Sequence, residues 1–173
     1  MNILIATDIE DERWTKAIDD IESTIQNVKN ATFAYMAQNE HLEFLSAQND
    51  ININLCLSND ENIRQLNRDF RHIDKPTNVL SFANLDFAGF TAENELFGCI
   101  ELGDIIIAFE TTNAQAIEQQ ISLFEHFCHL LVHGLLHLLG YDHQEPHEQA
   151  QMESLEAAIL ARLNIKNPYT DEQ

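Results

Sequence analysis

Two periodicities run through this chain, and the switches between them mark its elements. Ile51, Ile53, Leu55 and Leu57 alternate with Asn52, Asn54, Cys56 and Ser58, the period of a strand with one buried face. Residues 2–8 predict an earlier strand and residues 77–82 a short later one. Residues 97–109 read as one long bent strand, or two, broken at Gly103. Helical spacing fills the intervals. Asp8 or Asp11 opens a helix into the twenties, and a second covers 28–47 with Val28, Ala31, Phe33 and Tyr35 among its apolar positions. Ser58 or Asn59 caps a helix carrying Ile63, Leu66, Asn67 and Phe70 inward, which ends before Pro76. A helix follows over 111–119. Ser122, with Glu125 three residues on, makes the capping box of another that reaches residue 139. Pro146 opens the last helix, to residue 163, with Met152, Leu155, Ile159 and Leu163 as its core stripe. The prediction is a single α+β domain over residues 1–173, with a small mixed sheet flanked by helices.

Composition narrows the function classes. A chain of 173 residues with 45% hydrophobic content can bury one core. The N-terminal MNILIATDIE lacks a basic stretch and a cleavage-type segment, so a signal peptide is not expected. The most apolar run, 127–139, is broken by three histidines and is too short to span a membrane. A cytoplasmic location without membrane contact is expected. Cys56, Cys99 and Cys128 form no C-x-x-C pair and read as buried thiols. The net charge of −20 argues against a general nucleic-acid binder. Yet Arg64, Arg68, Arg71 and Lys75 are spaced 4, 3 and 4 apart, which is one stripe if the segment is helical throughout. A solvated helix face is the plainer reading of Arg64 and Arg68.

The chemistry concentrates in residues 133–143, HGLLHLLGYDH. His133 and His137 lie four apart, so on a helix both imidazoles project from one face, about 6 Å apart in rise. Gly140 can take a positive φ, end the helix and return the chain, which delivers His143 to the same point. Three imidazoles and one open position make the donor set of a catalytic zinc site, a zincin-like motif on a buried central helix. The same ligands suit nickel, copper and iron. The spacing HxxxHxxGxxH is that of one class of zinc peptidases, in which glutamate follows the first histidine as general base. Here that residue is Gly134, which moves no proton. His126 and His129 are expected to pack or to hydrogen-bond around the site; His147, His72 and His41 carry no ligand signal. Met152 reads as core, with a place under the metal as the alternative.

Two segments together resemble the YbeY-type endoribonucleases. HGLLHLLGYDH is similar to that family's HGxLHLxGYDH signature at every fixed position, and LNRDFRHIDKPTNVLSF, residues 66–82, resembles its second motif. LGDIIIA at 102–108 and MESLE at 152–156 are also similar, so the resemblance covers about residues 50–169. Phe70, Asn78 and Ala83 depart from the family's usual Tyr, Asp and Pro, and none of these is a ligand. The resemblance implies a zinc-dependent endoribonuclease, specific for single strands, that acts in 16S rRNA 3′-end maturation and ribosome quality control. It implies one Zn2+ held by His133, His137, His143 and a water, with Arg71 at the substrate. Arg68 and Lys75 join Arg71 as candidate RNA contacts. Single-stranded rRNA is the implied substrate, with a ribosomal protein or a ribosome-assembly GTPase as candidate partner. Bound to three imidazoles, zinc keeps a 2+ charge and lowers the pKa of its water to about 7. A guanidinium such as that of Arg71 pairs bidentately with phosphate. Asp142, Glu145 and Asp104 are the candidate general bases, with structural roles the plainer reading of each; the ribose 2′-OH is the alternative nucleophile. Two other functions fit the residues: a zinc peptidase, and a non-catalytic ribosome-assembly factor whose zinc only holds the fold.

Overall fold

The computed structural model describes residues 2–40, 42, 49–84 and 98–170. Strands β1 (Ile3–Ile9), β2 (Asp50–Ser58), β3 (Val79–Ala83) and β4 (Cys99–Ala108) form one sheet in the order β1-β2-β4-β3. β1, β2 and β4 run parallel, and β3 pairs antiparallel to β4 at the edge. The helices are α1 (Arg13–Ala17), α2 (Ile21–Asn39), α3 (Asp60–Arg71), α4 (Phe109–Gln119), α5 (Leu123–Leu138) and α6 (Pro146–Arg162). This is the α+β domain with a small mixed sheet that the periodicities predict. No single helix among the described residues is long and apolar enough to cross a membrane.

The alternation in β2 translates directly into layers. Ile51, Ile53, Leu55 and Leu57 are buried under the helices, joined by Ile100, Leu102, Ile105 and Ile107 of β4. Asn52, Asn54 and Cys56 occupy the other face. α5 is the central helix: it packs against β3, β4, α2, α4 and α6, and its non-histidine residues from Phe127 to Leu138 are all buried. A helix apolar nearly all round must be surrounded, and this one is.

Some boundaries differ from the expectation. The first helical stretch is not one helix into the twenties. It breaks at Ile18–Asp20, because Asp20 adopts a left-handed conformation (φ 47°) and its carboxylate accepts from Ser23 N at 3.2 Å, capping α2. α2 therefore begins at Ile21, and the predicted boundary at residue 28 lies in its interior. α2 ends at Asn39 rather than at 47, with Glu40 already extended, and residues 41 and 43–47 of the predicted second helix lie outside the described residues. β4 is one strand rather than two. The break at Gly103 is a bulge: Asn52 pairs with Glu101 and Ile53 with Gly103, so Leu102 is the extra residue. Gly103 sits at φ 145°, and a Cβ there would overlap the Phe82 carbonyl oxygen.

Candidate metal centre

α5 begins as its sequence prescribes. Ser122 Oγ accepts from Glu125 N at 3.1 Å, and the Glu125 carboxylate accepts from Ser122 N at 3.0 Å. Its start is thereby fixed, and His133 and His137 fall on one face, 3.1 Å apart between Nε2 atoms. The helix ends at Leu138, and Gly140 (φ 103°) turns the chain back. Asp142 Oδ1 then accepts from His143 N at 2.7 Å, which holds the returning loop. The His143 ring centroid stands 5.5 Å from that of His133 and 5.0 Å from that of His137. One ring nitrogen from each histidine lies within 4.8 Å of the other two.

That geometry fits a metal ion. Two nitrogens bound to zinc at about 2.0–2.1 Å in a tetrahedron stand roughly 3.4 Å apart. His133 Nδ1 lies 2.5 Å from the Glu156 carboxylate, to which it donates, so its Nε2 carries the lone pair. The same Nε2 faces the Nε2 of His137, an approach that a cation between them rewards. Burial, together with His133 and His143 nearby, lowers the His137 pKa to about 4. Its imidazole is neutral at pH 7, the form that binds metal.

These histidines form one wall of a cleft of about 560 Å³. Arg71, at the end of α3, lines the same cleft with Thr77, Asn78 and Ser81, and no carboxylate among the described residues pairs with it. Arg68 and Lys75 are not brought there. Arg68 is exposed and meets Asp69 at 3.2 Å, and Arg64 pairs with Asp74 at 2.9 Å, so both belong to the solvated face. Lys75 misses the stripe because α3 stops at Arg71, where His72 turns left-handed (φ 61°). Of the three candidate bases, only Asp142 borders the cleft. Asp104 lies on the sheet's other face, 2.8 Å from Asn54 Nδ2, since the bulge reverses the side to which β4 residues point. Glu145 starts α6, where its N–H donates to Glu148.

The remaining histidines divide as the sequence suggests. His126 is buried, its Nε2 2.8 Å from Gln115 Oε1, and burial drops its pKa to about 4. His129 Nε2 lies 2.9 Å from the Glu156 carboxylate. His147 and His72 are exposed, and His41 is outside the described residues. Cys128 is buried, and burial pushes its thiol up to about 12, so it is inert. Met152 is buried in the core and also borders a smaller cavity of about 290 Å³ beside His133 and His143. The residue that sequence reasoning passed over is Glu156, an acid 1% exposed that hydrogen-bonds two histidines. Burial works to raise its pKa, but the bonds from His129 and His133 win and hold it at about 2. Its signal was present: a carboxylate beside Leu155 on an otherwise apolar stripe is almost never buried unpaired.

Comparison with known proteins matches this arrangement to a family. The profile of the family described as Endoribonuclease YbeY matches residues 8–164, and so reaches beyond the segment covered by the motifs toward the N-terminus. The chain is 40% identical over 172 residues, 99% of each chain, to the Endoribonuclease YbeY of Paramagnetospirillum magneticum. It is 39% identical over 163 residues to that of Wolbachia pipientis subsp. Culex pipiens, 94% of this chain and 96% of that one. With the protein of the same name from Sphingopyxis alaskensis it shares 47% over 124 residues, 70% of this chain and 73% of the other. Among solved structures, the solution structure of TM1509 from Thermotoga maritima has the same fold, with a TM-score of 0.54, 17% identity, and 93% and 92% of the two chains covered. With these matches running nearly its whole length, the chain belongs to the endoribonuclease YbeY family.

Proposed function

We propose that this chain is a zinc-dependent endoribonuclease that cuts single-stranded RNA, acting in the cytoplasm on the 3′ end of 16S rRNA and in ribosome quality control. One observation carries the reading: the three imidazoles of His133, His137 and His143 converge in a cleft that Arg71 also lines. When bound there, the ion supplies Lewis acidity and positive charge at the scissile phosphate. The chain's own residues do the rest. Arg71 orients and neutralises the phosphodiester through its two parallel N–H donors. Thr77 and Ser81 line the same cleft, and their hydroxyls offer further polar contacts to the substrate strand. Asp142 is the one candidate base within reach of a substrate in the cleft, and its Oδ1 also fixes the backbone of His143.

The alternative peptidase function lacks its base: the residue after His133 is Gly134, and even a Cβ there would press on Ile105 side-chain atoms at 3.0 and 3.1 Å and on Ser81 Oγ at 3.2 Å. The test compares wild type, Arg71→Ala and His137→Ala on a short single-stranded RNA, its duplex and casein. The proposal expects cuts in the single strand only, lost in both variants. Cleavage that survives His137→Ala refutes it. RNA bound but never cut by any metal-loaded form favours a non-catalytic assembly factor.

A further inference from the structure

The small cavity behind His133 is walled by α6 and by the segment that follows it: Met152, Glu153, Glu156 and Tyr169 border it with His133 and His143. α6 ends at Arg162, Asn164 takes a left-handed turn (φ 58°), and Ile165 then buries itself in the core. Asn167 Oδ1 accepts from Tyr169 N at 2.9 Å, and this turn brings the Tyr169 ring back edge-on to His129, 5.5 Å between centroids. The Tyr169 hydroxyl donates to the Glu156 carboxylate. Glu156 thus accepts from three groups: His133 Nδ1 at 2.5 Å, His129 Nε2 at 2.9 Å and Tyr169. His129 Nε2 also lies 3.1 Å from the tyrosine oxygen.

An ionised carboxylate only accepts, so every partner must donate. That inventory assigns the tautomers. His133 carries its proton on Nδ1, and its Nε2 is left as a lone pair toward His137. His129 carries its proton on Nε2, which leaves its buried Nδ1 without a partner, as observed. We propose that Glu156 and Tyr169 are positioning residues of the metal centre. Glu156 locks His133 in the ligating tautomer and ring orientation, and Tyr169 completes the hydrogen bonding of that carboxylate and shields it from water. The C-terminal segment, which contributes no ligand, is in this way part of the site. Glu156 is 1% exposed while Tyr169 is 43% exposed, as expected of a ring that covers a buried acid. Carboxylates that orient a ligating histidine raise metal affinity about 10–100-fold.

The inference rests on the reading that His133, His137 and His143 hold an ion. The experiment titrates zinc, against a chromophoric chelator, into the metal-free forms of wild type, His137→Ala, Glu156→Gln and Tyr169→Phe. Long-range 1H–15N spectra of the metal-free proteins report the His133 tautomer and show that each variant is folded. Glu156→Gln is expected to weaken zinc binding by about 10–100-fold. Tyr169→Phe, which removes one oxygen and keeps the ring, should weaken it severalfold with the His133 Nδ1–H signature kept, because Glu156 still accepts it; in Glu156→Gln that signature gives way to a tautomer mixture. Should Glu156→Gln not fold, Tyr169→Phe carries the test alone. Zinc bound with wild-type affinity by the folded variants, with the His133 tautomer unchanged, overturns this inference alone. A wild type that binds zinc no better than His137→Ala overturns the reading of the centre and this inference with it.

Discussion

Gly134→Ala adds one methyl group where the motif helix crosses the sheet. α5 packs on β3 and β4 there, and the new Cβ would stand 3.0 and 3.1 Å from Ile105 Cγ2 and Cδ1 and 3.2 Å from Ser81 Oγ. Two effects oppose each other. Alanine favours the helix over glycine by about 1 kcal/mol. Forcing a methyl into a filled core costs about 1–3 kcal/mol. Ile105 is fully buried in a close-packed core, so the steric cost should win, for a net loss of up to about 2 kcal/mol. Relief comes from lifting α5 off β3, and Ser81 borders the same cleft as His133 and His137. The cleft then changes width, and kcat/KM for RNA should fall more than zinc affinity does. Urea denaturation of the metal-free protein gives the stability, and a fluorogenic single-stranded RNA gives the rate. A variant stabilised by about 1 kcal/mol with unchanged cleavage would refute the close contact and its link to the site.

Arg71→Ala should lower kcat/KM by about 10²–10³-fold at unchanged zinc content, as for loss of a donor that meets transition-state charge. Arg71→Lys should recover little, because the fork is lost; metal analysis that finds the zinc gone would make the residue structural instead. His126 and His137 are held neutral by burial, each at about 4 against the ordinary 6.5. Their contribution is therefore full above pH 6.5 and is lost as pH falls toward 4, by about 3 kcal/mol each. Chemical denaturation of the metal-free protein between pH 7 and 4.5 should show the loss, and His126→Phe should remove about half of it; an unaltered slope would contradict the assignment. Gly103→Ala should cost more than about 3 kcal/mol, since its Cβ overlaps the Phe82 carbonyl oxygen at φ 145°. A wild-type Tm would rule out the bulge.

What could be read from the sequence follows from which residues face one environment. β2 is buried on one side only, so its alternation is clean and its boundaries were legible. α5 was legible because a capping box marks its start, apolar residues surround it, and Gly140 ends it. The break between α1 and α2 was not, because it hangs on the left-handed Asp20 among other polar residues, where periodicity has no contrast. The basic spacing continues through Lys75, but the helix does not, since His72 turns the chain away first. Asp104 is a candidate base by sequence alone because parity along β4 is not readable across a bulge: one extra residue, Leu102, sends it to the far face. Strand order is set by long-range pairing, which local pattern does not carry. Glu156 is the instructive omission. The helical stripe Met152, Leu155, Ile159 was read for its apolar members, and the one charged residue it buries was the one tied to the site.

The central claim is that three imidazoles hold one divalent ion and leave it a position open to substrate. X-ray absorption at the zinc edge, on protein whose metal content has been determined, tests it most directly. One ion per chain, three imidazole nitrogens at about 2.0–2.1 Å and a light oxygen atom replaceable by phosphate are the predicted result. An ion enclosed by four protein ligands, or metal content unchanged by His137→Ala, would contradict the account.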